Sequence, residues 1–288
     1  MNEFILFTDS GCDIDAKTLA EWRVKFIDQT LMFDGEDKEL LNSSITAADF
    51  YKRMREGATA KTAAINVDGF KNAFSPFLKE GKDILYLAFS SGLSTTVNSA
   101  RIAAEELKEE YPDTTVTVVD TMSGSAGQGM LVYFASEMRD EGKSVDEIKQ
   151  YLEDNKLHLC HWFTVDDLVY LKRGGRISPT VAFVGGLLGI KPVLHMDSEG
   201  HLASVSKARG RKNALNAIVD KYGELALDKK DGNLYISHGD CIDDVHYLTD
   251  RLKETYGATV KYVADIGPVI GSHSGPGTIA IFFLGRER

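Results

Sequence analysis

Apolar and polar positions follow two rhythms along the first half of the chain. Short β-rich runs at residues 4–8, 24–31, 84–89 and 115–119 each precede a turn and then a helical pattern, the order that builds a parallel α/β sheet. The helix after Phe89 is the clearest. Val97, Ala100, Ala104 and Leu107 recur at helical spacing, while Glu105, Glu106, Lys108 and Glu109 take the other face. A second long helix is predicted at 128–141, closed by Gly142, and a polar one at 145–154.

The pattern changes near residues 155–165, and a boundary there divides the chain into an N-terminal α/β unit, residues 1–160, and a C-terminal α/β unit, residues 161–288. The second half reads as strands at 190–196, 201–208, 233–238, 259–264 and 278–283 with helices at 211–227 and 243–256, so some antiparallel pairing is expected. The fold class is therefore α/β, with a parallel sheet followed by a mixed one.

Composition narrows the function. Of 288 residues, 43% are hydrophobic and 26% charged, which supports a sizeable core and excludes a disordered chain. Lys and Arg number 33 against 43 Asp and Glu, a net charge of −10 that argues against non-specific nucleic-acid binding. The most apolar stretch, 181–194, is interrupted by Gly185, Gly186, Gly189 and Lys191 and is too short to cross a bilayer. No export signal opens the sequence, and a cytoplasmic protein is expected. Cys12, Cys160 and Cys241 are too few and too scattered for a disulfide framework or a thiolate metal site, and are read as buried thiols.

Several segments could carry chemistry. Ser90-Ser91-Gly92-Leu93-Ser94-Thr95-Thr96 lies between a strand and an amphipathic helix, where free helix-start amides and hydroxyls can meet an anion; a simple N-cap is the plainer alternative. Residues 266–277 form a Gly- and Pro-dense loop between two strands that delivers His273. Asp9 follows the first strand and could orient that histidine, while Asp13 could cap the next helix. Lys61-Thr62 is read as lying before another helix, with Thr62 either an anion donor or a cap. Residues 171–178 and 207–212 are basic patches, suited to an acidic partner or equally to solvent. The dinucleotide fingerprint, the Gly-Lys-Ser/Thr phosphate loop and the nucleophile elbow are not matched. Neither metal nor cofactor is expected.

Taken together, the segments resemble the DegV family, whose members are similar to the fatty-acid-binding subunits of bacterial fatty acid kinase. The resemblance rests on Asp9-Ser10 with Asp13, Lys61-Thr62, Ser90-Ser91-Gly92-Leu93-Ser94, Val119-Asp120-Thr121, residues 168–178, 189–194, His238-Gly239-Asp240 and 267–277, spanning nearly the whole chain. It implies a two-domain carrier that holds one long-chain fatty acid between its units. A separate kinase catalytic subunit then converts the bound carboxyl group to an acyl-phosphate for phospholipid synthesis. On that reading the carrier is not an enzyme. The carboxylate-binding positions fall on Thr62, Ser91 and Gly92, the motif histidine on His273, and a kinase-docking position on Arg209.

Two departures from the family pattern stand out: Ala63-Ala64-Ile65 where Ser-Gln-Pro is common, and Ser94-Thr95-Thr96 where Ser-Gly-Thr is common. Burial of roughly 15 methylenes at about 0.8 kcal/mol each supplies affinity for such a ligand, before association costs. The carboxylate must then be met by donors, among them hydroxyls, amides or a protonated imidazole. Residues 181–188 line the tail pocket or simply pack in the core. The competing reading is a serine hydrolase or acyltransferase with Ser91 as nucleophile, His273 as base and Asp9 as orienter. A regulatory sensor built on the same pocket is a third.

Overall fold

The computed structural model describes residues 4–177 and 189–288. The expected pocket segment 181–188 lies outside the described residues. The chain opens with β1 (Phe4–Asp9), α1 (Ala16–Glu21), β2 (Val24–Ile27), β3 (Thr30–Phe33), β4 (Leu40–Leu41), α2 (Ala47–Arg55) and β5 (Ala60–Ala63). It continues through α3 (Val67–Lys79), β6 (Asp83–Ala88), α4 (Thr96–Glu110), β7 (Val116–Asp120), α5 (Ser125–Asp140) and α6 (Val145–Asn155). The second half carries β8 (Leu159–Thr164), α7 (Val169–Arg173), β9 (Ile190–Met196), β10 (Leu202–Arg209), α8 (Arg211–Leu225) and β11 (Leu234–His238). It ends with α9 (Ile242–Tyr256), β12 (Tyr262–Asp265), α10 (Pro268–Ser274) and β13 (Ile279–Leu284).

Three sheets result. The expected parallel sheet has order β2-β1-β6-β7. The expected mixed sheet has order β10-β9-β8-β13-β11-β12, antiparallel except for β11 beside β12. A small antiparallel sheet, β4-β3-β5, was not foreseen. It arises because the run 24–31 is not one strand. The Asp28 carboxylate accepts from the Ser43 amide at 3.2 Å and Ser10 Oγ accepts from the Gln29 amide at 2.9 Å, so the backbone is diverted after Ile27. From Thr30 it pairs with β4 and β5 instead.

Helix α5 sits between the two larger sheets and touches β1 and β6 on one side and β8, β11 and β13 on the other. Its first half, Ser125 to Val132, is buried all round, as a helix sandwiched between layers requires. Leu6 and Leu87 of the parallel sheet join Met130 and Leu131 of α5 and Phe163 and Phe282 of the mixed sheet in one apolar cluster. On the outer face Phe70, Phe74 and Leu78 of α3, one helical turn apart, pack with Tyr86 and Val97.

Capping chemistry explains several boundaries. Asp15, not Asp13, caps α1, accepting from the Lys17 and Thr18 amides at 3.0 Å. Asn66 caps α3 through the Gly69 amide, so Thr62 stands in β5 and caps nothing. The predicted Gly- and Pro-rich loop holds a helix, because Pro268 occupies its first turn, where its missing N–H is harmless, and Gly275 ends it at φ +80°.

Candidate functional site

A cavity of about 490 Å³, partly open to the surface, lies where the carboxyl end of the parallel sheet, the start of α5, the inner face of the mixed sheet and α10 converge. Alternate residues of two strands, His161 and Phe163 of β8 and Ala280 and Phe282 of β13, face it together, as the period of two along a strand dictates. Phe89, Met196, Leu202, Val269 and Ile270 complete a mostly apolar wall. Its volume is that of a small-molecule site. Thr62, Ser91 and His273 all line it.

Thr62 Oγ1 lies 2.7 Å from His273 Nε2. The other ring nitrogen, Nδ1, is buried without a partner among the described residues and lies against Gly174, where a Cβ atom would come within 2.1 Å of it. Burial, and then the positive charge of Arg176, pulls the imidazole down to about 4, so His273 is neutral at pH 7. The protonated imidazole expected as a head-group partner is therefore not the form this buried ring takes at pH 7. A neutral ring carries one proton. Placing it on Nε2 leaves an unpaired acceptor at Nδ1 and not a more costly unpaired donor, and it frees the Thr62 hydroxyl hydrogen for a ligand.

Arg176 supplies the charge at this end of the cavity. It is half-buried, and its Nε donates to the Leu93 carbonyl at 3.1 Å while Nη1 donates to the Gly174 carbonyl at 2.5 Å. Burial lowers its pKa. The sequence placed it only in a basic patch; nothing in the local spacing distinguishes an inward arginine from a solvated one.

The other expected residues behave differently. Ser91 lines the cavity from an exposed turn, with its amide donating to Asp120 Oδ1 at 3.2 Å. The amides before α4 are not a free anion nest, because the Gly92 amide donates to Ser90 Oγ and those of Leu93 and Ser94 donate to the Ser90 carbonyl. Gly92 is needed for closeness instead. A Cβ there would stand 2.5 Å from the Gly200 carbonyl oxygen, on the turn joining β9 to β10. Arg209 is exposed at the end of β10.

The hydrolase constellation does not assemble. Asp9 is fully buried and accepts from Tyr86 Oη at 2.6 Å and from the Phe89 and Gly11 amides at 2.9 and 3.0 Å, so it organises the turn after β6 and leaves His273 without an acidic orienter. Ser91 makes no hydrogen bond with His273, whose Nε2 is engaged by Thr62. Asp13 ties the site's supports together: Oδ2 accepts from the Ser125 hydroxyl at 2.6 Å and Oδ1 from the Gly267 amide at 2.9 Å, joining the starts of α5 and α10. Burial pushes its carboxyl up to about 7.

Residues 3–286 match the family model described as "Uncharacterised protein, DegV family". The chain belongs to the DegV family. A DegV domain-containing protein of Clostridium perfringens is 43% identical, the alignment covering 100% of this chain and 99% of that one. A DegV family protein from Thermus thermophilus, described as fatty-acid binding, is 31% identical with a TM-score of 0.87, covering 99% of this chain and 100% of that one. A DegV lipid-binding protein from Thermotoga maritima is 28% identical with a TM-score of 0.85, covering 99% of each chain. The parallel and mixed sheets of this DegV chain are thus the family's fold. Among the described residues no helix is long and apolar enough to cross a membrane.

Proposed function

We propose that this protein is a non-catalytic cytoplasmic carrier that encloses one long-chain fatty acid between its N-terminal unit, residues 1–160, and its C-terminal unit, residues 161–288. The observation that carries this reading is a mostly apolar cavity with the Thr62–His273 pair and Arg176 among its polar wall groups. The fatty-acid-binding description of the Thermus thermophilus relative supports it. The tail contributes affinity through burial, and the carboxylate is met by the Thr62 hydroxyl, Ser91 and the Arg176 guanidinium, which offset its desolvation. Gly92 contributes by letting the backbone close on the turn at Gly200, with its own amide already satisfied.

The same reading extends to a partner. The carboxyl group is presented to a separate fatty acid kinase catalytic subunit, which docks on a surface including Arg209 and makes the acyl-phosphate used in phospholipid synthesis. Denaturing extraction and mass spectrometry of protein purified from a bacterial host test the first half: a stoichiometric fatty acid is expected. Its absence, with no uptake of added fatty acid, overturns the carrier reading. ATP-dependent phosphorylation of the bound acid in the presence of the kinase tests the second half.

A further inference from the structure

Gln29 is one of the polar side chains of the cavity wall that head-group binding does not require, and, like His161 and Ser274, it carries a buried atom with no hydrogen-bond partner among the described residues. Gln29 stands at the break between β2 and β3, is 3% exposed and lines the cavity. Its side-chain Oε1 is enclosed beside Gly11, where Asp9 Oδ1 and the Phe89 ring also stand, and has no partner among the described residues; the side-chain nitrogen, less enclosed, makes no hydrogen bond to another described residue either. Leu31 stands opposite Thr62 and Thr30 opposite Ala63 in the pairing of β3 with β5; carried one residue beyond the strand, the same alternation places Gln29 on the face shared by Leu31 and Thr62. It lies two residues further along, about 7 Å from Thr62. Ala63 and Ala64, which line the cavity beside it, add only methyl groups.

A buried amide without a partner is costly, and buried polar groups are nearly always paired. Water in the cavity can serve the less enclosed atom of the amide, but a hydrocarbon chain that fills the space displaces that water and leaves the atom stranded. An oxygen on the chain restores the bond. A hydroxyl suits the amide whichever way its oxygen and nitrogen are turned, because it both donates and accepts. Resting on the carrier reading above, we propose that Gln29 is a second polar contact in the cavity and that the preferred cargo is a long-chain fatty acid hydroxylated on its acyl chain near the carboxylate end.

The test compares delipidated wild-type protein with Gln29→Met, which keeps the side chain's length and removes its hydrogen bonds. Dissociation constants are measured for hexadecanoic acid and for a positional series of monohydroxylated hexadecanoic acids. In the wild type at least one hydroxylated isomer is expected to bind roughly ten-fold tighter than hexadecanoic acid, and that ratio is expected to fall to near one in the variant. Hexadecanoic acid binding at least as tightly as every isomer overturns the proposal while leaving the carrier reading standing, and so does a preference that persists in Gln29→Met. An equal loss of affinity for both classes in the variant makes Gln29 a head-group ligand and also overturns it. Failure of every acid to bind overturns both readings. Should the variant not fold, the wild-type ratio alone decides.

Discussion

Thr62 and His273, 211 positions apart in the chain, meet at 2.7 Å across the cavity, one from a strand of the small sheet and one from the last turn of α10. With the ring proton on Nε2, the contact leaves Nδ1 facing Gly174 and the threonine hydroxyl hydrogen free to donate elsewhere. Neither residue has a purely structural reason to be polar here, since a valine and a leucine would fill similar space.

Thr62→Val, nearly isosteric, is expected to lower fatty-acid affinity roughly ten-fold with little change in melting temperature. His273→Ala is expected to do the same. The double variant should lose little more than either single one, because each removes the same donor arrangement. Additive losses in a double-mutant cycle measured by calorimetric titration count against a shared role.

Gly174→Ala is expected to destabilise the protein by about 1–3 kcal/mol, because the added methyl group overlaps His273 Nδ1. The residue has φ −73°, so backbone strain plays no part. Thermal denaturation reads the effect, and Gly174→Ala combined with His273→Ala should recover part of it. Without that recovery, the clash lies elsewhere.

His273 and Asp13 give stability opposite dependences on pH. The imidazole falls from 6.5 to about 4 on folding, so its contribution is complete above pH 6.5 and is lost as pH drops towards 4. The Asp13 carboxyl rises from 3.8 to about 7, so its contribution is complete below pH 4 and is lost as pH climbs to 7. Asp13→Asn should therefore gain stability relative to wild type between pH 4 and 7, and His273→Gln should gain between pH 6.5 and 4. Chemical denaturation across that range measures both slopes; unchanged slopes remove these groups from the titration.

Arg209→Ala is expected to retain the bound lipid fully while coupling to the kinase falls at least several-fold, the residue being exposed. Lipid content by mass spectrometry and acyl-phosphate formation are measured side by side. Loss of lipid from the variant would place Arg209 in the fold or pocket instead.

Much of the fold was legible because its helices announce themselves. The apolar spacing of α4, the polar helical pattern of α6 and the Gly142 terminator of α5 are local signals, and the structure places elements within a few residues of the expected ones. What the sequence hid was decided at a distance. Residues 24–31 look like one strand, and only Ser10 and Ser43, contacts far along the chain, divide it. The helix α10 was masked by glycines that serve close packing, as Gly271 does against Tyr51. His273 and Thr62, singled out by the family resemblance, both line the cavity. Gln29 and the inward turn of Arg176 depend on which way a side chain faces, which no spacing rule conveys.

The meeting of Gly92 with the turn at Gly200 bears on how such a protein could change its cargo. There the two walls of the chamber touch peptide to peptide, with Ser90 Oγ donating to the Gly200 carbonyl at 2.9 Å. Because that joint is made by main chain and the Ser90 hydroxyl, its spacing is independent of the side chains that paper the interior. On the carrier reading, substitutions at Phe163, Met196 or Ile270 reshape the space open to an acyl chain while the frame beside its charged end stays where it is.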